Sequence, residues 1–263
     1  MDRVNTWVAG EVVASADLNE WQDRGVSCRN LSSAFTGVRP RMIWQTASTL
    51  SVISPIRFAG TNETDASRIP AQNQIITPAT VLGSALANST WYYLYVFNSG
   101  TRISPASSFL VSTTPPDVYR HAHGSDESRA YIGCFRTDGS GNILPFYALN
   151  GRYTWRQSAA TGTPFALGSF SGTGSPHTLS LASLVPPHAF MARVRLQINC
   201  TGAAVVSLQT NGDTAGLYDY SNLALIAGTQ LAEQFEILLG GSQTLKLAIA
   251  NAGVYVEVLG FDE

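Results

Sequence analysis

The sequence predicts a mainly β protein: an N-terminal arm with a short helix, a middle β module and a C-terminal β-sandwich of jelly-roll type. Three observations predict it. Short runs of β-branched and aromatic residues recur from Met42 to the end, and clusters of Gly, Pro, Asn, Asp and Ser separate them. In the last third these runs return about every 8–14 residues with Gly-rich turns between, the layout of a sandwich. A helical signal is confined to one stretch near Ser15.

The first segment, residues 1–41, carries that signal. Ser15 is placed to cap Ala16 to Trp21, with Asp17 near the positive helix end and Leu18 and Trp21 three apart on one face. The following SCRNLSSAFTGVRPRM is polar and broken by Gly37 and Pro40, which predicts a linker or extended arm. Trp7, Val12, Leu18 and Trp21 are much apolar surface for so short a piece. They either meet another protein or pack back on their own domain.

Residues 42–156 form the middle module. Its runs include MIWQT, TLSVIS, IRFAG, QIITPATVL, TWYYLYVFN, SSFLVST, AYIGCFRT and ILPFYAL. Asn98-Ser99-Gly100 and Asp138-Gly139-Ser140-Gly141-Asn142 supply turn residues that tolerate positive φ. Trp91 to Phe97 is apolar on both alternating faces, so this strand is expected to be buried on both sides, inside a sandwich or between subunits.

The Ala- and Gly-rich stretch Gln157 to Thr163 marks a boundary, and residues 157–263 form the C-terminal sandwich. In Ala192 to Ile198 polar and apolar residues alternate strictly, so one face is wet or faces a partner. Val254, Val256 and Val258 alternate with Tyr255, Glu257 and Leu259 in the same way. No period of about 20–50 residues repeats, which argues against solenoids and propellers.

Composition narrows the function. Charged residues make up 13% of the chain and hydrophobic ones 44%, so Ser, Thr, Asn, Gln and Gly must cover the surface, as suits wide subunit contacts. The net charge of −2 gives no electrostatic footprint for nucleic acid. Cys28, Cys134 and Cys200 are odd in number and far apart, so reduced structural thiols are expected. The N-terminus lacks the pattern of a secretion signal, and no apolar run of about 18 residues occurs, so neither export nor membrane insertion is expected.

No enzyme is expected. A G-x-S-x-G elbow is missing, and the adjacent Asp126 and Glu127 would diverge instead of facing each other across a cleft. In His121-Ala122-His123 the i and i+2 side chains share a strand face, so two imidazoles can meet one cation. The polar setting YRHAHGSDES favours plain solvation, and no other cofactor is expected. The stretch Gln209 to Asn222 gathers Asn211, Asp213, Tyr218, Asp219 and Tyr220 on a Gly-rich loop. Aromatic faces stack on sugar rings while amides and carboxylates take hydroxyls, which makes these residues receptor-binding candidates.

Thr6-Trp7-Val8-Ala9-Gly10-Glu11-Val12-Val13-Ala14-Ser15-Ala16-Asp17-Leu18-Asn19 resembles the opening of many bacteriophage tail-fibre and related virion proteins, including head-fibre and spike components. Thr90 to Val96, Ser112-Thr113-Thr114-Pro115, Tyr131-Ile132-Gly133 and Arg136 to Ile143 with Pro145-Phe146 are similar to a β module of phage structural proteins. The matches span roughly the first 155 residues. The resemblance implies a virion protein, assembled in the host cytoplasm, whose arm docks through Trp7, Val12, Leu18 and Trp21 onto tail, portal or capsid. Its C-terminal domain would bind a host surface glycan or protein. Without collagen-like, heptad or β-helix repeats it would be a short fibre or spike. The low charge and the doubly apolar Trp91 to Phe97 strand predict a homotrimer. Two alternatives stand beside it: a capsid decoration or head-fibre protein without receptor role, which keeps the same fold, and a polysaccharide-cleaving tailspike-like enzyme.

Overall fold

The computed structural model describes residues 41–53, 74–97, 109–116, 122–123, 126–156, 165–172, 176–210, 219–239 and 243–263. The arm and its expected helix lie outside them. The described chain is mainly β, as the recurring runs predict. Its strands are β1 (Arg41–Thr46), β2 (Thr49–Ile53), β3 (Gln74–Ile76), β4 (Trp91–Phe97), β5 (Phe109–Ser112), β6 (Ala122–His123), β7 (Asp126–Arg136) and β8 (Phe146–Leu149). They continue with β9 (Arg152–Trp155), β10 (Ala166–Ser171), β11 (His177–Ser180), β12 (Met191–Thr210), β13 (Asp219–Leu225), β14 (Gln230–Leu238) and β15 (Thr244–Asp262). One short helix, α1 (Pro78–Leu82), follows β3.

The run QIITPATVL, read as one strand, divides here. Pro78 has no N–H to give a sheet and suits the first helical turn, and Gly83 closes the helix at φ 76°. The chain therefore turns helical straight after Thr77.

Two long strands make the spine of an eleven-stranded antiparallel sheet. β12 and β15 pair along nearly their whole lengths, and β11, β10 and β9 line the other edge of β15 in succession. The outer edge of β12 is taken by β14 and then β13. Beyond β9 the sheet runs on through β8, β1, β2 and β3. The boundary expected at Gln157 to Thr163 lies outside the described residues. Strand pairing joins its two sides, because Gly260, Phe261 and Asp262 of β15 pair with Thr154, Tyr153 and Arg152 of β9.

The alternation of β15 resets at Asn251, and the register shifts again between Val258 and Gly260. Leu245, Leu247 and Ile249 are buried at odd positions, whereas Ala252, Val254, Val256 and Val258 are buried at even ones. Asn251 absorbs the extra residue at φ 55°, a left-handed conformation that asparagine tolerates, and its amide donates to the Ala203 carbonyl at 3.0 Å. One irregular residue thus keeps both halves of a long strand facing the same core.

The second sheet has the order β5-β4-β7-β6. β4 lies between two neighbours, and Tyr92, Tyr93, Leu94, Tyr95 and Val96 are all buried, which explains its two apolar faces. The two sheets pack through aromatic rings. Trp91 of β4 meets Trp155 and Phe261 of the large sheet at 6.1 and 5.8 Å, and Tyr153 stacks on Phe261 at 4.4 Å. Each indole finds a backbone acceptor: Trp91 donates to Ala182 O at 3.0 Å and Trp155 to Leu184 O at 3.1 Å.

Candidate functional site

The strict alternation of β12 and β15 sends one set of side chains into the core and the other onto an open face. Register places that outer set in rows across four strands. Ser171, Gly253, Asn199 and Gln230 form one row over β10, β15, β12 and β14, and Ser169, Tyr255, Gln197 and Ala232 form the next. Gly253 bears no side chain at the middle of its row. A Cβ built there would have Asn199 O at 4.0 Å as its nearest neighbour, so the row sinks without being blocked.

The result is a trough of about 540 Å³ along these rows. A neighbouring depression of about 400 Å³ shares Ser171, Asn199 and Gly253 with it and adds Thr201 and Asn251. Amides, hydroxyls and the Tyr255 ring line the trough, and among the described residues no Asp, Glu, Lys or Arg does. Gln197, Asn199 and Gln230 are exposed, so the Asn199 and Gln230 amides and the Gln197 carbonyl face the trough.

Formal charge is gathered at the other end of the same face. Arg195 pairs with the buried Glu257, which also accepts from the Gln197 amide at 3.1 Å. Further on, Arg152 pairs with Glu236, and Arg193 and Arg152 approach Asp262 at 3.7 and 3.9 Å. Burial holds the Asp262 carboxyl above the usual carboxylate range despite both guanidinium groups. The charges are spent on one another, and the trough is left neutral and polar.

A second polar cluster lies inside, where the sheets meet. Glu263 Oε1 accepts from the Tyr131 hydroxyl at 2.7 Å and from the Cys134 thiol at 3.0 Å, and His188 Nε2 lies 3.1 Å from it. Burial first, and then the nearby Glu263 carboxylate, raise the Tyr153 phenol well above its ordinary value. For Tyr131 and the Cys134 thiol the order is likewise burial first, then neighbouring anionic groups. At neutral pH these groups stay protonated.

The expected receptor residues Asn211, Asp213 and Tyr218 lie outside the described residues. Asp219 and Tyr220 begin β13, where Asp219 pairs with Gln209. His121 also lies outside, and His123 pairs with Asp126 between β6 and β7. Trp7, Val12, Leu18 and Trp21 belong to the undescribed arm. The trough was foreshadowed only by the alternation of β12 and β15, because its members come from four strands whose order local sequence does not state. The inner cluster gave no signal, Cys134 and Glu263 being 129 residues apart.

No family model matches the chain, and no curated protein matches it. Among solved structures, the N-terminal CBM22-1-CBM22-2 tandem domain of Xyn10C from Paenibacillus barcinonensis is similar at 10% identity and a TM-score of 0.22. The similarity covers 86% of this chain and 91% of that one.

Proposed function

We propose that the chain is a short fibre or spike of a bacteriophage particle, docked through its N-terminal arm, whose C-terminal sheet holds a neutral host-surface glycan in the trough. The observation that carries this reading is the lining. Sugars present hydroxyls that pair with amides and hydroxyls, and apolar ring faces that rest on aromatic side chains. An uncharged lining avoids stripping water from an ion when such a ligand enters. With no carboxylate among the described lining residues, the trough is suited to holding a glycan.

An open trough on one copy gives weak binding, and several copies on one particle convert it to firm attachment. Self-association as a trimer is part of the proposal. Ile75, Tyr147 and Leu149, on β3 and β8 of the large sheet, are 64%, 41% and 52% exposed, apolar surface of the kind that copies bury against one another.

The test is retention of neutral hexose and N-acetylhexosamine oligosaccharides by the purified chain, together with its ability to block phage adsorption. Gly253→Trp fills the trough, and should cut binding at least about tenfold, roughly 1.4 kcal/mol, with an unchanged unfolding midpoint. Equal binding by Gly253→Trp would remove the trough from the reading, and release of reducing ends would replace the binder with an enzyme.

A further inference from the structure

The inner cluster joins three distant pieces of chain. Cys134 lies on β7 of the small sheet, His188 in the turn after Pro186 and Pro187, and Glu263 directly after β15 of the large sheet. One ligand atom from each lies within 4.8 Å of the other two. Thiolate, imidazole and carboxylate are the donors that zinc prefers, with bonds of about 2.0–2.3 Å, so a single ion between them bridges that span.

Two further observations favour a built site. All three are shielded from solvent: Cys134 is fully buried, and the side chains of His188 and Glu263 are 9% and 3% exposed. The imidazole makes no other polar contact among the described residues. Its Nε2 lies 3.1 Å from both the Glu263 carboxylate and the Tyr131 hydroxyl, so the ring already turns a nitrogen lone-pair position to the place an ion would take. As a hydrogen-bonded cluster alone, this arrangement crowds thiol, phenol and imidazole onto one carboxylate oxygen. A cation takes the same donors without that crowding, and the Tyr131 phenol oxygen stands beside it as a fourth donor.

We propose that Cys134, His188 and Glu263 bind one zinc-class divalent cation that pins the end of β15 to β7 and so clips the two sheets together. On binding, the Cys134 thiol gives its proton to solvent and the sulfur becomes the metal–thiolate ligand, with no change of oxidation state. The site is closed and structural, and is independent of the trough.

The full chain, purified without a histidine tag and loaded with Zn²⁺, should retain about one equivalent after dialysis. Co²⁺ in its place should give the near-ultraviolet thiolate-to-cobalt band. Cys134→Ser should lose the band and Cys200→Ser, a buried thiol on β12, should keep it. A strong chelator should lower the unfolding midpoint of the loaded protein. Wild-type protein that retains no metal and shows no cobalt–thiolate band overturns the proposal whether or not the variants fold, as does a band that survives Cys134→Ser.

Discussion

The hydroxyl of Tyr153 accepts the backbone N–H of Cys134 at 2.8 Å, a hydrogen bond that passes from the large sheet to the small one. It passes beside Gly133. A Cβ at 133 would collide with that hydroxyl and stand 2.6 Å from Met42 Sδ, so the residue must lack a side chain for the sheets to meet.

Gly133→Ala should therefore destabilise the fold by about 1–3 kcal/mol through overpacking. Tyr153→Phe should cost a similar amount, about 1–3 kcal/mol, by leaving the Cys134 N–H buried and unpaired. Combined, the two should cost less than their sum, because the phenylalanine removes the oxygen that the alanine strikes. Urea denaturation of the four proteins checks this, and strict additivity would count against the contact.

The tyrosines at the sheet junction set an alkaline limit. Burial, followed by nearby anionic groups, raises the phenols of Tyr93, Tyr95, Tyr131 and Tyr153 above their ordinary value of 10.0. A raised folded value means that the unfolded chain ionises first. The stabilisation is complete below pH 10 and is lost as pH rises toward the folded values. Stability should be flat with respect to these groups up to about pH 10 and fall steeply above it, with phenolate absorbance appearing together with unfolding. Phenolate absorbance from these four groups while the fold stays intact would contradict their burial.

The fold class was legible because sheets leave a local mark. The alternation in Ala192 to Ile198 and in Val254 to Val258 is a property of neighbouring residues, and the turn at Asp138 to Asn142 is spelled by residue type. Pairing order is not local. Nothing near Tyr153 announces Phe261 as its partner, and nothing near Cys134 announces Glu263, because burial chooses both from across the chain. The run at Ile76 misled for a related reason: its β-branched residues outweigh Pro78 in a count, although one missing N–H decides the backbone.

The Asp138 turn should fail in acid. Partial burial alone would raise its carboxyl, but donation from the Asn142 and Ser140 backbone N–H groups and the Asn142 amide outweighs it and holds the carboxyl below the usual range. A lowered folded value gives stability that is present above about pH 4 and lost as pH falls through that lowered value. Asp138→Ala should cost about 1 kcal/mol at neutral pH, solvent screening keeping it small, and should flatten the stability profile below pH 4. An unchanged acid profile in the variant would remove the turn from the account.

The ion pair that borders the trough gives the sharpest separation of stability from binding. Glu257 is 1% exposed and rests on Arg195 and on the Gln197 amide, whose residue also lines the trough. Arg195→Leu leaves a buried carboxylate without its guanidinium, a loss of about 3–5 kcal/mol for a buried pair. Removing both charges as Arg195→Leu with Glu257→Leu should recover most of that stability, since two apolar chains leave no buried charge to compensate. The double variant also releases the Gln197 amide from its carboxylate, so the side chain that orients one wall of the trough loses its anchor. Glycan retention should then fall even where the unfolding midpoint has returned, and a double variant that regains both stability and retention would show that the ion pair does not position the trough.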